Sequence, residues 1–394
     1  MGFWPFCRAG SAAQRPGCDK VKLARNWFSH KHLLIGGTLA VAALLMGCFP
    51  QDRMSTFGTA GPVAEKQLLL FNALLWVMVA VFVLVEGALV YAAIRFRRRP
   101  GQGLPNQVHG NTPLEVTWTI IPTILILALG VWSVITLFEL EQPPASAAGD
   151  ALAVDVVGHQ WWWGFEYQDA DGNGKRISTA NELRVPVGRA ITVTLRSNDV
   201  IHSFWIPKLA GKMDVVPTRN NRMWFLAEET GTYYGQCAEF CGIAHALMKF
   251  RVVVLPEDEY QDWVASYGQP HQQLSPEAQR GQQIFNGKGG CIVCHTATGP
   301  DTPEVVQGRV QGFLSGAPIA PGPNLTDLAT RETFAAGLVE LNRENLRQWV
   351  TNPDSIKPGN RMAQLAAIYQ TPSGNTSLSP DEVSGLIEYL LTLQ

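Results

Sequence analysis

Hydrophobic positions along this chain fall into three regimes. Between 33 and 138 they run almost unbroken. Leu33 to Phe49 carries no charge, Leu68 to Ile94 carries Glu86 alone, and Val116 to Phe138 carries none. From 152 to 255 they come in short β-rich runs: Leu152–Val157, Gly164–Tyr167, Ile191–Arg196, Arg222–Leu226 and Phe250–Leu255. Turn-rich pieces such as Asp169-Ala-Asp-Gly-Asn-Gly174 separate them, a rhythm that predicts an all-β Greek-key sandwich or barrel of about 110 residues. Beyond 275 the spacing becomes helical. Ser275-Pro276-Glu277 opens one helix, Glu344–Val350 forms another, and Ser379-Pro-Asp-Glu382 is a capping box before Val383, Leu386, Ile387, Leu390 and Leu391.

The second and third apolar runs each exceed the ~20 residues that cross a bilayer as a helix. Arg95, Arg97, Arg98 and Arg99 lie between them, which the positive-inside rule places in the cytoplasm. The pair therefore reads as a transmembrane hairpin, with everything after Phe138 outside. The first run follows Lys20, Lys22, Arg25 and Lys31, as an export signal does. It ends Leu45-Met46-Gly47-Cys48, which resembles a bacterial lipobox; the alternative is an uncleaved anchor with an incidental cysteine. Glu115 opens the third run, where a carboxylate suits the helix dipole. Glu86 lies inside the second, which marks a functional candidate, or a side chain that pairs with the nearby arginines or snorkels.

Composition sharpens this division. The chain has 394 residues, enough for two or three domains. Charged residues make up 16%, against ~25% in soluble domains, which argues against a cytosolic enzyme or a nucleic-acid-binding chain. The net charge of −2 is a cancellation: residues 1–138 carry 12 Lys/Arg against 5 Asp/Glu, whereas everything from Glu139 onward sums to −9. Such asymmetry fits a membrane protein with unlike compartments on its two sides.

Candidate chemistry concentrates in two places. The first is Cys237-Ala-Glu-Phe-Cys241-Gly-Ile-Ala-His245-Ala-Leu-Met248. Two thiols, an imidazole and a thioether suit copper better than magnesium or calcium, and His202 could add a second imidazole. The extra cysteine exceeds a mononuclear blue-copper set, so two cysteines could bridge two coppers. A disulfide, a copper chaperone's thiol pair and zinc are the alternatives, although methionine is a poor zinc ligand. The second place is Cys291-Ile-Val-Cys294-His295, a c-type haem attachment signature. His295 would supply one axial ligand, and Met362 is the only methionine after Cys294. In Trp161-Trp162-Trp163, strand alternation puts Trp161 and Trp163 on one face and Trp162 on the other.

The 237–248 segment resembles the dinuclear copper (CuA) loop of cytochrome c oxidase subunit II. Gly158-His-Gln-Trp-Trp-Trp163, Asp199-Val-Ile-His-Ser-Phe204 and Glu115-Val-Thr-Trp-Thr-Ile-Ile-Pro122 resemble the same family, in order, over about 62–256. Thr218, in Val216-Pro217-Thr218-Arg219, stands where that family often has glycine. Residues 275–394 resemble class I cytochromes c through the haem motif, Gly322-Pro-Asn-Leu325 and Lys357-Pro-Gly-Asn-Arg-Met362.

The resemblance implies a subunit II of the caa type, built from four parts: a signal or lipoprotein-like segment (1–48), a transmembrane hairpin (62–140), a cupredoxin-like CuA domain (150–257) and an all-α cytochrome c domain (275–394). It implies Cys237 and Cys241 as bridging thiolates, His202 and His245 as terminal ligands, and Met248 and the Glu239 carbonyl as weak axial ligands. It further implies Mg2+ at the Glu239 side chain, Trp161 where electrons arrive, Glu115 near a proton-uptake path, and Cys291, Cys294, His295 and Met362 on haem c. The implied partners are oxidase subunits I and III, a donor cytochrome c and membrane lipid, in a bacterial plasma membrane with both cofactor domains outside. Neither long apolar run holds a histidine, so oxygen chemistry would need subunit I. A nitric oxide reductase subunit and a copper-delivery protein are the alternative readings.

Overall fold

The computed structural model describes residues 52–98, 107–269, 273–301 and 322–394, with a few positions in 35–39 and at 101 and 103. The chain divides at Pro50. Before it, only helical, exposed positions within 35–39 are described, so the expected signal, Cys48 and its lipobox lie outside the described residues.

Two long helices follow, α1 (Pro62–Arg95) and α2 (Thr112–Glu139), of 34 and 28 residues. At 1.5 Å per residue both exceed a hydrocarbon core of ~30 Å. Their side chains point outward: Trp76, Leu84, Ile126 and Leu137 are all at least 68% exposed, an unfavourable surface in water and an ordinary one in lipid. Lys66 Nζ meets Glu139 Oε2 at 2.8 Å, so the start of α1 and the end of α2 lie together. Both ends join the β domain: Ala60 N–H donates to Lys208 O at 2.8 Å and Trp224 Nε1 donates to Leu140 O at 3.0 Å. The arginine-bearing link thus lies at the opposite end of the hairpin. Glu115 caps α2, accepting from Asn111 N–H at 3.0 Å. No ion pair to Glu86 forms among the described residues.

The β domain is two five-stranded sheets. One has the order β3-β2-β1-β5-β8 and the other β4-β10-β9-β6-β7. Their strands are β1 (Leu152–His159), β2 (Trp162–Tyr167), β3 (Ile177–Ala180), β4 (Glu182–Pro186), β5 (Ala190–Ser197), β6 (His202–Trp205), β7 (Lys212–Val215), β8 (Asn221–Leu226), β9 (Gly231–Cys237) and β10 (Lys249–Leu255). Pairs β1/β5 and β4/β10 are parallel and the others antiparallel. Alternating burial in β1, β5 and β10 sends one face of each strand inward. The core at the copper-loop end is aromatic: Phe204 stacks on Phe250 at 4.5 Å, and Trp163 meets both edge-on at 5.3 and 5.7 Å. Beyond β10, helix α3 (Glu257–Ser266) lays Tyr260 and Trp263 onto the sandwich.

Among the described residues, the C-terminal domain is helical apart from one two-residue hairpin (Thr333–Phe334 with Val339–Glu340). Helices α4 (Pro276–Asn286) and α7 (Pro380–Leu390) form its main contact, flanked by α5 (Arg343–Thr351) and α6 (Arg361–Leu365). The α4–α7 crossing depends on Gly281, where a Cβ would lie 1.9 Å from Gly385 O. Phe285 and Tyr389 lock the crossing edge-on at 5.5 Å.

A candidate copper centre beside a candidate haem cleft

Three elements deliver the soft ligands to one point. His202 opens β6, Cys237 closes β9, and the connection to β10 carries Cys241, His245 on a single 3-10 turn, and Met248. The two thiols lie 3.8 Å apart. Cys237 Sγ is 3.9 Å from His202 Nδ1 and 3.2 Å from the Glu239 carbonyl. Cys241 Sγ is 3.6 Å from His245 Nδ1 and 3.8 Å from Met248 Sδ. Ligand atoms of His202, Cys237 and Cys241 all fall within 4.8 Å of one another. Each thiol thus has one imidazole, with a carbonyl on one side and a thioether on the other. This donor set fits a soft cation pair bridged by two thiolates.

The surroundings hold that set in place. His202 is fully buried, and its Nε2 meets Asp199 Oδ1 at 2.8 Å, leaving Nδ1 toward the sulfur. Gly158 makes room for the ring, because a Cβ there would lie 2.8 Å from His202 Cδ2. The contact between the two sulfurs draws the Cys237 thiol well below the usual thiol range, and the same contact together with burial pushes Cys241 upward.

The haem motif lies in the second place. Cys291–Val293 is a 3-10 turn after α4, and burial pushes the Cys291 thiol up to about 12. His295 Nδ1 lies 2.7 Å from the Pro323 carbonyl, a bond that makes Nδ1 the donor, so that Nε2 is the nitrogen that would bind iron. Cys291, Cys294, His295 and Met362 line one apolar cleft of about 1400 Å³, counting the space at its mouth. Phe285, Leu346, Trp349 and Tyr369 supply its walls. Two thiols, an imidazole and a thioether around an apolar cleft fit a covalently attached haem.

The same cleft is walled by Gln160, Trp161 and Trp162 of the β domain. Trp161 stands in the turn before β2 rather than in the strand; it is buried, as is Trp163, while Trp162 is half-buried and stacks on His159 at 4.0 Å. Strand alternation therefore does not extend to Trp161, which shares the cleft wall with Trp162 while Trp163 packs among the core phenylalanines. Trp161 Nε1 donates to the Cys241 carbonyl at 3.0 Å, and Lys357, fully buried, donates to the Trp161 carbonyl. Further round, Thr179 Oγ1 donates to Asp327 Oδ2 at 3.1 Å and Thr333 N–H donates to Glu182 Oε1 at 2.9 Å. Arg251 Nη2 donates to Gly337 O at 2.8 Å. Sequence reasoning assigned no role to Asp199, Gly158, Lys357 or Glu182. Only Asp199 left a local sign, three residues before a histidine.

Donors this soft on a membrane-anchored sandwich, sharing a chain with a c-type haem motif, define a membrane-bound electron-transfer subunit. Residues 53–136 match the family "Cytochrome C oxidase subunit II, transmembrane domain", 152–255 match "Cytochrome C oxidase subunit II, periplasmic domain", and 278–394 match "Cytochrome c". "Cytochrome c oxidase subunit 2" of Alkalihalophilus pseudofirmus is 35% identical over 359 residues, covering 89% of this chain and 94% of that protein. The proteins of the same name from Bacillus sp. strain PS3 and Bacillus subtilis are 37% and 35% identical, covering 90% and 92% of this chain and 95% and 98% of theirs. The chain belongs to the cytochrome c oxidase subunit 2 family and carries the additional cytochrome c domain. Membership implies CuA in the sandwich and haem c in the C-terminal domain.

Proposed function

We propose that this chain admits electrons to a haem–copper oxidase, taking them from a donor cytochrome c through haem c and the copper pair to subunit I, with proton translocation by the whole complex. The observation that carries this is the shared wall: Trp161 lines the cleft of the haem motif and is hydrogen-bonded to Cys241 of the copper cluster. When bound, the two cofactors supply reversible one-electron chemistry. The chain's own residues hold them. Cys237 and Cys241 would bridge the coppers, His202 and His245 would end the pair, and Met248 and the Glu239 carbonyl would sit on either side. Cys291 and Cys294 would hold haem through thioethers, and His295 and Met362 would be its ligands.

Trp161 is 7% exposed, so it serves the attached haem domain rather than a protein arriving from solution. In this reading the arginine-bearing link faces the cytoplasm and both cofactor domains face outward. Exposed Phe240 and Ile201 beside the copper loop and the lipid-facing helices present an apolar side suited to subunit I, and subunit III completes the complex. The Glu239 side chain would meet Mg2+ there. Glu115, at the hairpin's far end, would sit near the mouth of a proton path.

Purified complex containing Cys237→Ser or His202→Ala should lose the near-infrared copper absorption while keeping the haem c spectrum. An unchanged copper band in both variants would sink the ligand assignment. Met362→Leu should abolish the sulfur-to-iron band and leave the copper spectrum alone.

A further inference from the structure

One side chain links the Met362 loop to the copper ligands. Arg361 Nη2 donates to Gln160 Oε1 at 2.6 Å. Gln160 Nε2 donates in turn to the Cys241 carbonyl at 2.8 Å. The backbone N–H of Gln160 donates to Asp199 Oδ2 at 2.7 Å, and the other oxygen of that carboxylate meets His202 Nε2 at 2.8 Å. The amide orientation is fixed by its partners, since a guanidinium accepts nothing and a carbonyl donates nothing. Only an amide of this length offers an acceptor to one neighbour and a donor to the other. Glutamate would keep the first contact and lose the second; leucine would lose both.

We propose that Gln160 is a positioning residue joining the haem-ligand loop to the copper ligands, its side chain bridging Arg361 to Cys241 and its amide bridging, through Asp199, to His202. The inference rests on the reading of the two sites as haem c and CuA. The bridge does two things. It restrains the Cys241 backbone and the His202 ring from the side facing the haem cleft, and it gives that interface a continuous hydrogen-bonded route with no van der Waals gap. A network of this kind acts as a unit, so removing either end should be felt at the other.

The test uses the intact complex with subunit I, as parent, Arg361→Met, Gln160→Leu and Gln160→Glu. Haem c is reduced by a laser-excited flavin, with EDTA as the sacrificial electron donor, and the rate of copper reduction is followed at the near-infrared band. Copper hyperfine splitting is read by EPR. Arg361→Met should slow the step by about tenfold with both optical spectra intact. Gln160→Leu should slow it at least as much and also shift the hyperfine splitting. Gln160→Glu should recover part of the rate, through its contact with Arg361, while still shifting the splitting. Rates within about twofold of the parent in both Arg361→Met and Gln160→Leu, with unaltered hyperfine splitting, would overturn the proposal. A parent complex lacking the near-infrared band or the haem c spectrum would instead refute the reading beneath it.

Discussion

His159 illustrates how a single residue is governed by its surroundings. It ends β1 opposite Trp162, which stacks flat on it, and burial pushes its pKa down to about 4, with His202 adding to the shift and Asp199 opposing it. The unfolded chain therefore binds a proton at His159 between pH 6.5 and about 4 that the folded chain refuses. The corresponding stability is complete above 6.5 and is lost as the pH falls through that window, up to about 3 kcal/mol. Thermal unfolding of the full chain in detergent should show a smaller drop between pH 7.5 and 5 in His159→Gln than in the parent; equal drops would count against it. At this scale the sequence was legible for ligands and opaque for what holds them. Cys237, Cys241, His245 and Met248 announce themselves by spacing within one loop. Gly158 and Gln160 matter only because β1 and the copper loop are neighbours in space, 80 residues apart in sequence in the case of Trp161 and Cys241.

Elements divide in the same way. Strands β1, β5 and β10 were evident as short β-rich runs between turn signals. Strands β3 and β4 were not: β3 is buried at all four positions and β4 carries Glu182 inward, because the haem domain covers what would otherwise be sheet edges. Four-residue β6 and β7 likewise lack a period long enough to read. Helices with strong end signals were legible. The Ser379 box is formed, with Glu382 N–H donating to Ser379 Oγ at 3.3 Å and Ser379 N–H donating to Glu382 Oε2 at 2.8 Å. Ser379→Ala should cost about 1 kcal/mol, read as a lower denaturation midpoint of the haem domain with the copper band unchanged. A midpoint equal to the parent's would mean that tertiary packing alone fixes α7.

For the molecule as a whole, the charge division follows the membrane. The basic surplus sits in the N-terminal segment and the hairpin link, and the −9 is the sum over everything from Glu139 onward. An outer surface of that sign steers basic partners at long range. Oxidation of a basic donor cytochrome by the complex should therefore slow steeply between low salt and 0.2 M, where screening shortens to about 7 Å; a salt-independent rate would remove electrostatic steering from the account.

The buried contacts Thr179–Asp327 and Glu182–Thr333 between the sandwich and the haem domain have a kinetic meaning. Two carriers that must meet by diffusion react at a rate set by how often they collide, and each collision must find the right orientation. Here the second carrier is attached by chain and seated by hydrogen bonds that water cannot readily replace. Its local concentration at the copper loop no longer depends on how much protein is present. In the proposed path the transfer between haem and copper domains thus becomes first order, leaving the encounter with the external donor as the one step that dilution can slow.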